Sequence, residues 1–477
     1  MRLAASSRAV RAGLDRIRDE MKIPREFPAA VAQAARAGAR QPAHPRVNAI
    51  DARAIPFLTI DPPGSRDLDQ AFHAERIDDG FRVHYAIADV SSFVGANDAV
   101  DIEAHERGVT VYLPDRRASL YPPTIGEGAA SLLPRRDRPA LLWTIDLDAE
   151  GMPTTWRLEP ATVRSRRALT YAGVQRSIDR GSASEPLMLL REIGLLREEQ
   201  EKQRGGVSIA APVQELARRR GSYLLSYEVG VPVEGWNAQI SLLAGMCAAS
   251  TMMDAGVGIL RTLPPADPVA LDRLKRVAAS LHITWSSDQT YPDVVRTLTP
   301  GDPHHAAFLT EALELFRGAG YAVVDASTAA HDSVALEHAA IGARYAHVTA
   351  PLRRLADRYA NEVVLAACVD STPPSWAVDG LSDLPEIMGT SGHRAANAER
   401  AALDLIECIV LQPHIGEEFA ATVIDLDGDR AALQLSMPPV LASVASDGLS
   451  LGGSVRARLD GVNVQERRLE LTVVPSG

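Results

Sequence analysis

The sequence predicts a mixed α+β protein with a helical second half and a small all-β barrel of OB type at its C-terminal end. Three observations carry that expectation. Between about residues 50 and 165, β-forming runs alternate with turn signals; from about 187 helical periodicity takes over; after 412, short alternating strands return, separated by glycines. At 477 residues, with 46% hydrophobic and 23% charged residues, the chain has globular composition and length for more than one core.

The elements follow in order. Val10, Leu14, Ile17 and Met21 recur at helical spacing, so residues 7–22 read as an amphipathic helix stopped by Pro24. "EFPAAVAQAARAGAR" is a second, Ala-rich helix and "QPAHPR" a linker, which makes residues 1–48 a small helical segment. "IPFLTI" is a short strand. "DDG" (78–80) turns the chain into the strongly β-forming "RVHYAIADVSSFV", and "ALLWTIDLD", "AEG" and "TTWRLEPATV" form a hairpin. His84 reads as a packed strand residue rather than a ligand.

Helices then dominate: "EPLMLLREIGLLREEQEKQR", "NAQISLLAGMCAASTMMDAG", "DPVALDRLKRVAASL", "HHAAFLTEALELFRGAG" and "PLRRLADRYANEVVLAACV". The proline-containing "DSTPPSWAVDGLSDLP" (370–385) is a connection, and "HRAANAERAALDLIECIVL" is a further helix, so residues 370–411 join the main unit to the barrel. "GEEFAATVIDLDGDRAALQLS", "GGSVRARLDGV" and "RRLELTVV" supply about five short strands for that barrel, 412–477.

The formal net charge of −11 argues against coating nucleic acid with the whole surface, but leaves room for a local basic channel. Lysine occurs only at Lys22, Lys202 and Lys275, so arginine supplies all but three of the 50 basic residues. That skew suits planar recognition of phosphate, or reflects a GC-rich genome. Cys247, Cys368 and Cys408 lie far apart without a CxxC and read as buried free thiols of a reducing compartment. No apolar run reaches the ~20 residues that span a bilayer. The N-terminal stretch is charged throughout, without the apolar centre of a signal peptide. A cytoplasmic location away from membranes is the expectation.

The stretch "TIDPPGSRDLDQAF" carries the chemistry. Asp61, Asp67 and Asp69 repel one another at this spacing unless a cation sits among them. In extended backbone Asp67 and Asp69 share a face while Leu68 points into the core, so the three carboxylates are expected to converge. Hard oxygen ligands suit Mg²⁺, or Mn²⁺, rather than zinc, and such a metal can assist phosphodiester hydrolysis. A solvated acidic loop or a structural Ca²⁺ loop are the other readings of that spacing.

"TAPLRRLADRY" is expected to open a helix, with Pro351 in its first turn and Thr349 or Ala350 near its cap. Arg353 and Arg354 then sit where the helix dipole disfavours positive charge, as a phosphate partner would require. Two solvated arginines are the alternative.

"TIDPPGSRDLDQA", "VHYAIADVSSFV", "RGVTVYLPDR", "RALTYAGV" and "YAHVTAPLRRLADRY" occur in the order seen in the RNB domain of the RNase II and RNase R exoribonucleases. Over about residues 55–365 the chain resembles that family, and the C-terminal strands resemble its RNA-binding barrel. The resemblance implies an RNB catalytic domain over residues 49–369. It also implies a Mg²⁺-dependent hydrolase that shortens single-stranded RNA processively from the 3′ end to nucleoside 5′-monophosphates.

By position, Asp61 and Asp67 match family aspartates that hold or support the metal. Asp69 matches the carboxylate needed for cleavage, and Arg353 the arginine at the scissile phosphate. Gln70 stands where many members have a metal-ligating aspartate. Tyr112 and Tyr171 match tyrosines at the reactive end of the RNA channel, and Arg261 an arginine inside it. Ala238 and Gln239 replace a family glutamate pair, leaving Gln239 to bond a ribose hydroxyl; Arg354 joins it among the expected RNA contacts.

Residues 1–48 are too few for the two cold-shock barrels of larger relatives. A monomeric short form relying on its C-terminal barrel for RNA is therefore expected. Two further readings stand beside the exoribonuclease. One is a catalytically silent RNA-binding protein, motivated by Gln70 and the missing glutamates. The other is a phosphoesterase of small nucleotides, disfavoured by the added barrel.

Overall fold

The computed structural model describes residues 7–41, 46–211, 213–219, 222–228, 230–329, 334–436 and 440–474. It is mixed α+β. The linker predicted at 41–46 lies outside the described residues except at its two ends.

A seven-stranded mixed sheet organises the first half. Its strands are β1 (Ile50–Asp51), β2 (Leu58–Asp61), β3 (Gln70–Ile77), β4 (Gly80–Ala88), β5 (Arg138–Asp148), β6 (Pro153–Val163) and β7 (Arg167–Thr170). Their spatial order is β1-β6-β5-β4-β3-β2-β7. The two central hairpins are those the sequence predicts: Ile77 faces Gly80 across the β3–β4 turn, and β5 runs antiparallel to β6. β1 joins β6, and β7 joins β2, in parallel. β5 is buried over Ala140–Ile145, with Trp143 wholly inside, because helices cover the sheet. The strand predicted to run to Val94 stops at Ala88. Asp89 turns away to accept hydrogen bonds from Arg46 (2.8 and 2.9 Å) and from Ser92 Oγ (2.6 Å), and a short 3₁₀ turn follows.

Among the helices, Pro232–Ala255 and Leu355–Cys368 pack together in the main core. Every residue from Leu355 to Ala366 is buried, as expected of a central helix with neighbours all round. Gly245 permits a close approach: a Cβ there would lie 2.1 Å from the Tyr345 ring and 2.7 Å from the Ala346 carbonyl oxygen. The Ala346 N–H donates to the Gly245 carbonyl at 3.1 Å, fixing the helix to the segment that leads into residues 349–354.

The predicted connection is partly helical, with a short helix Ser375–Gly380. The long helix begins at Leu384, nine residues before the predicted start, since Pro385 is tolerated in a first turn. The segment predicted as one helix over 304–320 ends its α-helix at Ala312. Gly320–Val324 is instead a strand paired with Gly258–Thr262. A hairpin, Val213–Arg219 with Ser222–Glu228, lies between the helices Glu185–Gln203 and Pro232–Ala255 and is not anticipated from the sequence.

The last five strands form a nearly closed antiparallel barrel. Glu418–Asp427 lies at its centre, and the outer strands Leu441–Ala445 and Arg468–Val474 approach one another. The N-terminal helix Ser7–Glu20 buries Val10, Leu14 and Ile17 in the core that the long helix Leu384–Leu411 shares with this barrel. The leading segment is thus an integral part of that core. The three cysteines are free, Cys247 and Cys408 being buried.

Gly245→Ala is expected to lower stability by about 1–3 kcal/mol through overpacking against backbone. A drop in the chemical denaturation midpoint relative to wild type would register it.

Candidate active site

β2 ends at Asp61, which pairs in register with Thr170 of β7. Thr170 caps the helix Tyr171–Asp179 by accepting the Gly173 N–H, so Tyr171 starts its helix beside Asp61. After Asp61 the chain reverses through Pro62–Ser65, where Gly64 takes a φ of +85° that other residues adopt only with strain. Leu68 then plugs into the core, its N–H on Ser131 Oγ at 3.0 Å and its carbonyl on the Leu132 N–H at 3.0 Å. That anchor sets the direction of Asp67 and Asp69 on either side of it.

Asp69 is 2% exposed. One carboxylate oxygen accepts the Leu352 N–H at 2.8 Å, and the other accepts Arg353 Nε at 3.2 Å, across 284 residues of chain. Burial pushes its carboxyl up to about 7, against the pull of Arg353. Arg353 itself is 46% exposed, which leaves the rest of its guanidinium open to a ligand.

The expected helix start at Pro351 is corrected: Pro351 and Leu352 lie in a turn, and the helix begins at Leu355. The cause is tertiary. Thr110 N–H donates to the Arg353 carbonyl and Leu355 N–H to the Gly108 carbonyl, both at 3.0 Å, so Arg354 is drawn into an extended bridge with Val109. The Ala350 N–H is taken by Asp357 at 2.6 Å. Arg353 is therefore aimed by a strapped turn rather than by a helix terminus. Arg354 is also corrected: both its Nε and its Nη2 are committed to Asp357 at 2.8 Å, making it a brace of the turn.

The carboxylates do not close into one cage as expected, because Asp67 and Asp69 have found separate partners. Asp67 is held by Arg117 at 2.5 Å and receives the Tyr112 hydroxyl at 3.3 Å, while Asp69 faces Leu352 and Arg353. Among the described residues no three or more acidic, His or Cys side chains form a ready metal cage. One oxygen is nevertheless left over: Asp61 Oδ2 is buried with no hydrogen-bond partner. Burial, reinforced by Asp67 and opposed by Arg353, pushes the Asp61 carboxyl up to about 6. A buried carboxylate lacking a donor fits a hard cation of the kind that takes one or two protein carboxylates and completes its shell with water and phosphate oxygens. Gln70 begins β3 with its amide nitrogen donating to the Thr349 carbonyl, which ties it to the strapped turn.

The other predicted residues divide. Tyr112 is exposed beside Asp67. Tyr171 accepts from Asn237 Nδ2 at 3.4 Å, and burial with Asp61 nearby pushes its hydroxyl up to about 12. Arg261 stands apart from the acids, against the Tyr321 ring at 4.8 Å and the Gly320 carbonyl at 3.2 Å. Gln239 is corrected: it is 2% exposed and donates to Glu201 at 2.6 Å, turned into the protein and away from any ribose. His84 packs against His73 in the sheet, as expected. Arg117 and Asn237 belong to the site and were missed. Only their position, five residues past Tyr112 and at the head of an apolar helix, marks them in sequence.

Comparison with known proteins places these features in a family. Residues 49–369 match the RNB domain, and residues 417–474 match the RNase II-type exonuclease C-terminal S1 domain. The chain is 25% identical over 435 residues to Ribonuclease R 1 of Lactococcus lactis, covering 84% of this chain and 51% of that protein. It thus spans about half the length of such curated relatives. Mycoplasma genitalium RNase R, solved in complex with ribose methylated single-stranded RNA, has the same fold at a TM-score of 0.84 and 21% identity, covering 98% of this chain and 78% of that one. Yeast Ssd1, a pseudonuclease, is similar at a TM-score of 0.69 and 17% identity, covering 90% of this chain and 53% of that one.

A carboxyl raised by burial stabilises the fold fully below its unfolded value near 4, and loses that contribution as pH rises through about 6. With a chelator present, Asp61→Asn is therefore expected to be more stable than wild type by about 1–2 kcal/mol at pH 8. The difference should vanish near pH 4. Added divalent cation should raise the wild-type melting temperature more than that of the variant. Equal shifts would remove Asp61 from the cation site.

Proposed function

Because the chain belongs to the RNB-domain family, we propose that it is a hydrolytic 3′-to-5′ exoribonuclease. It shortens single-stranded RNA processively to nucleoside 5′-monophosphates and uses Mg²⁺, with Mn²⁺ as a substitute. The observation that carries this reading is the contact of Asp69 with Leu352 N–H and Arg353 beside the unpaired Asp61 oxygen.

In this mechanism Tyr112 clamps the 3′-terminal nucleotide, its ring holding a base without selecting sequence, an interaction worth roughly 1–3 kcal/mol per base, and Tyr171 guides the chain near a sugar. The free part of the Arg353 guanidinium binds non-bridging oxygens of the scissile phosphate as charge builds there. Asp69, with its carboxyl near 7, exchanges a proton close to neutral pH and is suited to accept one from the attacking water. Asp61, with Asp67, would hold the divalent cation. When bound, that cation neutralises phosphate charge and acidifies a water. Asn237, on the Tyr171 hydroxyl, keeps that ring in position.

A second reading, an RNA-binding protein without cleavage, is favoured by one observation: Gln70 is neutral and its amide is spent on the Thr349 carbonyl. A phosphoesterase of small nucleotides is the third. A 5′-labelled poly(A) oligomer incubated with protein and Mg²⁺ separates them. A ladder collapsing to a short end product supports the exoribonuclease, binding without shortening the second reading, and neither the third.

Asp69→Asn is expected to reduce shortening at least ~100-fold while RNA affinity stays within about twofold, the range for removing a general base. Retained cleavage would overturn its role. Gln70→Asp is expected to lower the Mg²⁺ concentration giving half-maximal rate, and an unchanged titration would show that position 70 is no ligand.

A further inference from the structure

Between the N-terminal segment and residues 116–127 lies a cleft of about 680 Å³ that the reaction described above does not use. Arg25, Arg36, Arg107, Arg116 and Arg117 line it, against Glu26 and Glu127. In a chain of net charge −11 this is a local reversal of sign.

The five arginines are not equivalent. Arg107 is structural: it is buried, ion-paired to Glu103 at 2.7 Å and bonded to the Glu26 carbonyl at 2.9 Å. Its guanidinium lies 3.8 Å over the Phe27 ring, pinning the N-terminal segment to the cleft wall. Arg25 is spent on the Asp15 carbonyl at 3.0 Å and on Asp19 at 2.7 Å. Arg117 is shared between Glu127 at 2.8 Å and Asp67 at 2.5 Å, so one wall of the cleft is also part of the carboxylate site.

Two remain. Arg36 is exposed on the helix Ala29–Arg40 and has no ion pair or hydrogen bond among the described residues. Arg116 is exposed, and its ion pair is a loose 3.8 Å contact with Asp15, which already bonds Arg18 at 3.1 Å. Two guanidinium forks lining one cleft with so little counter-charge suit the oxygens of a polyanion.

We infer that this cleft holds the backbone of single-stranded RNA outside the active site. Arg36 and Arg116 take phosphate oxygens, and Arg117 marks where the strand passes to Asp67 and Tyr112. The sign of the charge and the continuity with Asp67 through Arg117 select this occupant. The inference rests on the exoribonuclease reading and adds to it an RNA contact made by the N-terminal segment.

The test uses the full chain carrying Arg36→Ala and Arg116→Ala together, both exposed and both outside the reaction. Affinity for a labelled 20-nucleotide poly(A) is measured with chelator over a salt series, and cleavage of a trinucleotide is measured with Mg²⁺. The double variant is expected to bind about tenfold more weakly at low salt, and its slope of log affinity against log salt should fall by about 1.4, or ~0.7 for each lost phosphate contact. Trinucleotide cleavage should be unchanged, and the double Arg→Glu variant should bind more weakly still. Wild-type binding with an unaltered variant would overturn the cleft and leave the exoribonuclease standing. Loss of trinucleotide cleavage together with binding would overturn it by placing the arginines in the reaction or the fold. Poly-glutamate displacing the RNA as well as unlabelled poly(A) of equal charge would overturn it in favour of an acidic protein partner. A wild-type chain that neither binds nor shortens RNA would remove both readings.

Discussion

A buried carboxylate must be given donors, and Asp69 meets that requirement with a backbone N–H and a guanidinium from the far side of the chain. An unpaired buried charge costs several kcal/mol, so this contact, with Gln70 on the Thr349 carbonyl beside it, holds two segments distant in sequence in one geometry. Around it the protein builds its reactive end. Leu68 anchors the acidic turn from below, and Asp357 and the 108–110 backbone strap the arginine turn from above.

The site is held in tension. Asp61 and Asp69 are both pushed up by burial, and Arg353 offsets that cost only in part. Asp67 leans on Arg117. Such an arrangement favours arrival of positive charge at Asp61 and of negative charge at Arg353, the two halves of a metal-bound phosphate. Arg117 gives the arrangement an outlet, because it belongs to the acids on one side and to the arginine cleft on the other.

Much of this was legible beforehand. The acidic stretch, its strand, both central hairpins and the five-stranded barrel follow from local patterns, since period-two alternation and turn residues act over short spans. The misreadings at the site share one cause. Pro351 looked like a helix start by every local rule, but a bridge from Val109 pulled the backbone straight. Gln239 looked available on its helix, but the facing helix presents Glu201 to it inside the core. Arg354 looked like a phosphate ligand until Asp357 took it.

By itself, then, the sequence determined which residue types were available for the chemistry and the order in which they arrive, because periodicity and motif spacing are properties of neighbours in the chain. Which arginine faces substrate and which merely braces a turn was decided by tertiary structure alone. So was the meeting of an N-terminal helix with the 116–127 stretch to make a cleft. Charges choose partners by distance in space, and residues hundreds apart in sequence become neighbours only when the core has closed.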